Sequence, residues 1–211
     1  MLFRSQKSST LVLPGKYKVS MSIVTRDGVK ELAGPIEFNA TLLKNTTLPA
    51  DKYDELIAFQ KKANEIARSV RGTESFLDDM MKKVEHIKQA LVNTPEAPED
   101  LMIRADRISN QLKDIGLKFS RESGRPSVEE TPPSLPTFNE RLNILQYVHY
   151  RSTSNITQNE TNAYNILKEE FPPVLNEIRR IYNVDLKNLE DDLEKYNAPW
   201  TPGRVPIFDI E

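Results

Sequence analysis

Side chains suited to catalysis or metal binding are few and scattered in this sequence. The chain contains no cysteine and only two histidines, His86 and His149, which fall on different predicted helices. Metal sites group several His, Cys, Asp or Glu ligands, so this pattern favours ordinary surface or partly packed histidines. Disulfides and cysteine nucleophiles are excluded by composition. A glycine-rich phosphate-binding loop and a G-x-S-x-G nucleophile elbow are also absent from the sequence.

Paired carboxylates are the next candidates, because two of them held across a cleft can hydrolyse a glycosidic bond. The acidic clusters are Asp78-Asp79, Glu169-Glu170 and Glu190-Asp191-Asp192. Adjacent residues on a helix point in different directions, so these clusters are not facing pairs. Solvated helix surfaces explain them better than catalysis does. We therefore predict no catalytic residue, no cofactor and no metal site in this chain.

Aromatic residues offer a binding chemistry instead, because exposed rings can form a surface on which sugars stack. The candidates for such a surface are Tyr147, Tyr150, Tyr164 and Trp200. Packing against other apolar side chains is the alternative for these residues, and it is the interpretation that we favour.

The most distinctive short segment is 197–206, Asn-Ala-Pro-Trp-Thr-Pro-Gly-Arg-Val-Pro. It holds the only tryptophan of the chain and three prolines, so it cannot be helical and suits polyproline-like geometry. We interpret it as a strap that pins Trp200 against the end of the helices or against the sheet. The residues predicted to mediate interaction or packing are Trp200, Arg204, Tyr17, Tyr147 and Tyr150.

The N-terminal part of the chain predicts a β-hairpin over residues 11–43. Apolar and polar residues alternate from Tyr17 to Val24, and Asp27-Gly28 is a common hairpin turn. The return strand is interrupted at Gly34-Pro35, where we expect an edge, a bulge or a strand break. Because an isolated two-stranded unit is marginal in water, we interpret residues 1–48 as part of an incomplete Ig-like β-sandwich.

Apolar residues recur at helical spacing through most of the remaining sequence. The fold class predicted is therefore mainly α, an antiparallel bundle of four to five helices over residues 49–197, with a C-terminal strap over 198–211. Gly72 is expected to end the first helix, and Pro172-Pro173 to kink the last one or to separate two helices. The predicted helices cover about 50–70, 74–92, 98–119, 137–153 and 158–196, with a proline-rich surface loop over 120–136.

Charge and hydropathy limit the classes of partner. The chain has 29 Lys and Arg against 31 Asp and Glu, and the resulting net charge of −2 gives no electrostatic argument for binding nucleic acid or an anionic membrane. No apolar run reaches the roughly 18 residues of a membrane-spanning helix. Residues 1–7 carry no apolar signal-peptide core, so an export signal, if the parent protein is exported, is expected upstream.

Two segments suggest a family. Val12-Leu13-Pro14-Gly15-Lys16-Tyr17-Lys18-Val19 resembles the strand that closes the Ig-like segment in large bacterial proteins built on sortilin-like or BNR-repeat β-propellers. Residues 198–206 are similar to the end of the helical tail that follows in those proteins. The resemblance implies a periplasmic or extracellular location and a partner in the upstream propeller or Ig-like domain. The resemblance assigns no catalytic residue to this chain, because the propeller itself is absent.

The function predicted is that of a non-catalytic C-terminal structural or interaction module of a larger secreted bacterial propeller protein. Protein and carbohydrate are both open as ligands, and so is oligomerisation. The alternatives are an accessory domain of a glycoside-hydrolase-like enzyme and a helical dimerisation module. Each interpretation depends on a hairpin that is completed by atoms outside this chain. A sheet whose edges and faces were satisfied from within the same chain would refute it.

Overall fold

The computed structural model describes residues 12, 14–43, 48–121, 134–147 and 153–206. Two strands precede a set of helices, which confirms the predicted mainly helical fold with an N-terminal hairpin. The elements are β1 (Gly15–Thr25), β2 (Gly28–Ala40), α1 (Tyr53–Val92), α2 (Glu99–Phe119), α3 (Phe138–Tyr147), α4 (Gln158–Arg180), a π-helical segment (Ile181–Leu186) and α5 (Lys187–Lys195).

The hairpin is an antiparallel pair with an irregular return strand. Gly28 closes the turn with a φ of 126°, a conformation that side chains disfavour. The register moves from Val19 opposite Ile36 to Met21 opposite Ala33 and then to Ser22 opposite Glu31, so β2 carries one extra residue on each side of Ala33. The first of these bulges coincides with Gly34-Pro35 and confirms the predicted irregularity there. Proline is tolerated at a bulge because the ladder needs no donor from it.

Helix α1 runs without interruption for 40 residues, about 60 Å at 1.5 Å per residue. The prediction that Gly72 ends a helix is therefore wrong. Val70, Thr73 and Leu77 are all buried around that position, so the packed stripe continues through it. Burial of those side chains offsets the roughly 1 kcal/mol that glycine costs in a helix interior.

Helices α4 and α5 lie parallel to α1. The Phe59 and Tyr164 rings are 5.8 Å apart, and further along both helices Lys83 Nζ lies 2.7 Å from Glu190 Oε1. These contacts follow the same order along α1 as along α4 and α5, so the helices run in the same direction. The π-helical segment joins α4 to α5 without a break, because the residues at both junctions keep right-handed helical backbone angles.

Helices α2 and α3 lie antiparallel to α1, and they pack against it one after the other along its length. Lys88 Nζ contacts Asp106 of α2 at 2.9 Å, and Gln146 of α3 donates to Asn64 Oδ1 at 3.2 Å. The two helices meet at Glu74, so together they complete a three-helix bundle. The prediction of helix from about 98 to 119 is confirmed by α2.

The two ends of the connection between α2 and α3 both lie beside Glu74 of α1. Ser120 and Asn139 both donate to Glu74 Oε1 at 2.8 Å, and Arg121 Nε pairs with Glu140 Oε1 at 2.9 Å. Of the proline-rich loop predicted over 120–136, residues 122–133 lie outside the described residues. So do residues 148–152 of the helix predicted over 137–153, of which α3 confirms the first part.

Three phenylalanines fill the bundle where α2 gives way to α3. Phe119, Phe138 and Phe171 meet edge to face, with ring centroids 5.2 to 6.5 Å apart. All three belong to one core that runs the length of the helices. Edge-to-face rings pack well because the positive edge of one meets the negative face of the next.

Helix α4 begins at a capping box and continues through two prolines. Thr157 accepts from the Glu160 backbone, and the Glu160 carboxylate accepts from the Thr157 N–H at 2.8 Å. Pro172-Pro173 lies inside α4, so the alternative that two helices meet there is wrong. Both prolines are exposed, while Phe171 and Val174 beside them are buried. That packing offsets the roughly 3 kcal/mol cost of an interior proline.

Candidate interaction surfaces

One face of the hairpin is apolar. Tyr17, Val19 and Met21 of β1 stand opposite Phe38, Ile36 and Ala33 of β2, and they lie on the same side because side chains alternate along a strand. The Tyr17 and Phe38 rings stack with centroids 5.9 Å apart. The predicted interaction residue Tyr17 is therefore part of a continuous apolar surface, which we call the hairpin face.

The opposite face of the hairpin is polar along most of its length and carries the apolar pair Val24 and Val29 beside the turn. Lys18 pairs with Glu37 at 3.2 Å, and Ser22 stands opposite Glu31. A two-faced antiparallel sheet of this kind normally packs its apolar side on a core and leaves its polar side to water. The sequence of the hairpin is therefore built for one covered side.

The apolar side is uncovered in the part of the chain that the structure describes. Val19 is 53% exposed, Met21 58%, Ile36 64% and Phe38 48%. Among the described residues no third strand joins the sheet, so no described strand pairs with the outer edge of β1 or β2. Open edges and exposed apolar residues on one small unit are features of a surface that another element covers.

The C-terminal strap is held by two backbone turns. At the end of α5 the Ala198 N–H donates to Leu193 O and the Asn197 N–H to Glu194 O, both at 3.1 Å. Asn197 adopts a φ of 50°, so this is the left-handed helix stop that glycine usually makes. A second turn follows in which the Arg204 N–H donates to Thr201 O at 3.0 Å.

Arg204 anchors the strap more firmly than Trp200 does. Its side chain is 5% exposed, forms an ion pair with Glu194 and donates to Pro199 O at 3.2 Å. Trp200 is 45% exposed and lies over the Arg204 guanidinium, 5.0 Å from ring centroid to Cζ. The prediction that Trp200 is the pinned residue therefore needs correction, because the buried strap residues are Ala198 and Thr201.

The sugar-stacking surface, the alternative that we did not favour, is not formed by its described candidates Tyr147, Tyr164 and Trp200. Tyr147 is 71% exposed on α3, at the level of the N-terminal half of α1, whereas Trp200 lies near the other end of the bundle. Tyr164 packs against Phe59 and is half-buried, as the packing alternative predicted. Tyr150 lies outside the described residues.

The perturbed carboxylates have structural partners. A hydrogen bond from Lys195, with a second from Arg104, holds the pKa of Asp192 below its usual value. The backbone N–H of Thr137 and the Arg121 side chain do the same for the pKa of Glu140. The first group joins α5 to α2, and the second closes the α2–α3 junction. Both shifts are explained by packing of the bundle.

The described chain contains no cluster of three or more His, Cys, Asp or Glu that could hold a metal ion. None of its helices is both long and apolar enough to cross a membrane.

No family model, no curated protein and no solved structure matches this chain.

Proposed function

We propose that this chain is a structural and interaction module, and that its hairpin adds two strands to the β-structure of a larger protein. The observation that carries the proposal is the hairpin face, which is apolar, backed by a polar face and exposed. The strands offer open edges for hydrogen bonding, and the face offers side chains for burial. A β-sandwich supplies complementary surfaces for both.

Burial of the hairpin face would contribute substantially to the free energy of the interaction. Val19, Met21, Ile36 and Phe38 are each between 48% and 64% exposed. Full burial of such a side chain contributes about 1.5–3 kcal/mol, so burying the exposed half of four of them contributes on the order of 4 kcal/mol. That gain is large for a hairpin that is marginal by itself.

In this proposal the bundle follows the docked hairpin in the chain as a separately folded unit. The partner is the upstream Ig-like or propeller domain of a secreted bacterial protein, as the resemblance of residues 12–19 and 198–206 implies. The bundle has a complete core of its own, so it can keep its shape whether or not the hairpin is docked.

Hydrogen–deuterium exchange tests the proposal. The chain is measured alone and joined to the β-rich segment that the proposal places before it in the gene. We expect the amides of β1 and β2 to exchange quickly in the chain alone and much more slowly in the joined protein, with α1 and α4 unchanged as internal controls.

A paired substitution makes the test specific to the hairpin face. Ile36→Lys should abolish the added protection, whereas Ser22→Lys on the polar face should preserve it. Equal protection of the strands in both proteins, or the absence of any β-rich segment before residue 1 in the gene, would refute the proposal.

The two alternative functions lack a favouring observation. A helical dimerisation module would need an apolar helical stripe free for a second copy, whereas Ile108 and Leu112 on the apolar stripe of α2 are buried inside the bundle. An accessory role beside a glycoside-hydrolase site would need a functional group directed at a neighbour, and the perturbed carboxylates Glu140 and Asp192 already have partners within the chain.

A further inference from the structure

A second uncovered surface lies between α1 and α4. It is a groove of about 480 Å³ beside the start of the π-helical segment. Ile178 is fully buried at its base, while Phe76 and Tyr182 line it at 39% and 40% exposure. The two rings contact edge to face with centroids 5.0 Å apart, so they form one apolar floor. We call this the α1–α4 groove.

Gly72 keeps the α1–α4 groove open. A Cβ atom built on Gly72 would meet no heavy atom within 4 Å, so no contact in the described chain requires glycine here. Glycine is among the least favourable residues in a helix interior. Ser69 and Thr73 also line the groove and are small. The surface of α1 is therefore low at this point, and another backbone could approach it closely.

The charge of the groove is one-sided. Arg68 lines it from α1 and Arg179 from α4, and the lining contains no Asp or Glu. Neither arginine has an ion-pair or hydrogen-bond partner among the described residues, whereas neighbouring Arg180 pairs with Asp185 at 2.7 Å. An occupant would therefore gain from acidic side chains at both edges of an apolar strip.

We propose that the α1–α4 groove binds an acidic amphipathic helix of a partner protein. The lining of α1 extends from Arg68 to Phe76, about 12 Å or two helical turns. A helix places apolar anchors at i, i+3 or i+4, and i+7 over such a length. Two parallel helices leave an outer groove into which the ridges of another helix pack, which here would give a four-helix arrangement.

This site is independent of the hairpin face. The groove is formed by α1, α4 and the π-helical segment, and none of its lining residues belongs to β1 or β2. Binding there would persist if the hairpin proposal were wrong, and the reverse also holds.

Selection from a displayed library of 16-residue peptides tests the proposal with the full chain as target. A variant carrying Arg68→Glu and Arg179→Glu serves as the counter-target. We expect the enriched peptides to share apolar residues at helical spacing with Asp or Glu on both sides. Their synthetic versions should bind the variant at least 10-fold more weakly, and added salt should weaken binding to the natural chain.

Two further variants separate binding from folding. Gly72→Leu should fill the groove and weaken binding at least 10-fold while leaving the protein folded, since its Cβ meets nothing. Arg107→Glu, an exposed arginine on α2 outside the groove, should leave binding unchanged. Circular dichroism melting should show all variants folded.

Three results would overturn the proposal. One is a selection that yields no peptide distinguishing the chain from the counter-target. Another is enrichment of peptides with basic flanks. The third is equal binding by natural chain and folded Gly72→Leu, which would place the peptides on another surface.

Discussion

Replacing Gly72 with alanine should stabilise the protein, although Gly72 lies within its longest helix. The position is exposed on α1, and an added Cβ would meet no heavy atom within 4 Å. Alanine is favoured over glycine in a helix interior by about 1 kcal/mol, because glycine loses more backbone entropy on folding. With no clash to subtract, we expect nearly the full gain.

Gly203→Ala is the matched control, because the same substitution should have the opposite sign. Gly203 adopts a φ of 91° in the strap, a conformation that costs an alanine about 1–2 kcal/mol. An added Cβ would also lie 3.3 Å from Lys83 Nζ, although that flexible side chain can move. We therefore expect a net loss of about 1–2 kcal/mol.

Urea unfolding followed by circular dichroism measures both changes. The midpoint for Gly72→Ala should rise with an unchanged m-value, and thermal melting should shift upward by about 2–4 °C for a chain of this size. The midpoint for Gly203→Ala should fall. Destabilisation by Gly72→Ala would refute the continuous α1, because it would indicate that Gly72 is a left-handed helix stop, where alanine is unfavourable.

Three other substitutions test the core, the strap and the charge network. Ile108→Asp should cost about 3–5 kcal/mol in urea unfolding, because it places an unpaired charge at a position that is 4% exposed. Arg204→Met should destabilise by about 1–3 kcal/mol and speed proteolysis of the strap, more than Trp200→Ala does, because Trp200 is already 45% exposed. The hydrogen bond from Lys195 lowers the pKa of Asp192, so its contribution is complete above the unfolded-state pKa and is lost as pH falls through the folded one. Asp192→Asn should therefore make the loss of stability in acid less steep, as measured by unfolding at a series of pH values.

The parts of the fold that were predictable are those encoded by local periodicity. Alternation from Tyr17 to Val24 identified β1, and apolar spacing from Leu101 to Phe119 identified α2 almost to the residue. The prediction that Gly72 ends a helix was wrong because glycine occurs both at helix ends and at exposed positions inside helices. Which of the two occurs is decided by the packing of Val70 and Leu77 on other helices, and a local pattern does not contain that packing.

The closure of the bundle was beyond the reach of sequence patterns. Nothing in the spacing of α2 and α3 indicates that their ends meet, because the contacts join Glu74 to Ser120 and Asn139, far apart in the chain. The three phenylalanines at that junction were predicted only in part, with Phe119 on a helical stripe. Long-range contacts of this kind need a tertiary arrangement before their partners can be named.

The candidate surfaces, like the fold, were predictable from the sequence only in part. The hairpin face followed from alternation. In the strap, composition drew attention to Trp200 as the pinned residue, and Arg204 was predicted as an interaction or packing residue but not as the anchor. The α1–α4 groove was missed, although one signal was present: a glycine at an exposed position between residues with helical apolar spacing. It was interpreted as a stop. The arginines that flank the groove are 111 positions apart in sequence (Arg68 and Arg179), so no local motif joins them.

The bundle and the hairpin treat their apolar residues differently, and that difference supports the functional argument. Along the helices, side chains such as Val84, Leu112 and Leu167 are fully buried, so the bundle needs no partner to complete its core. In the hairpin, Val19 and Ile36 remain more than half exposed despite an equally regular pattern. A pattern that specifies a covered face implies a cover, because exposed apolar side chains on open strands favour aggregation. The described bundle does not bury that face, which supports the proposal that its partner lies outside the bundle.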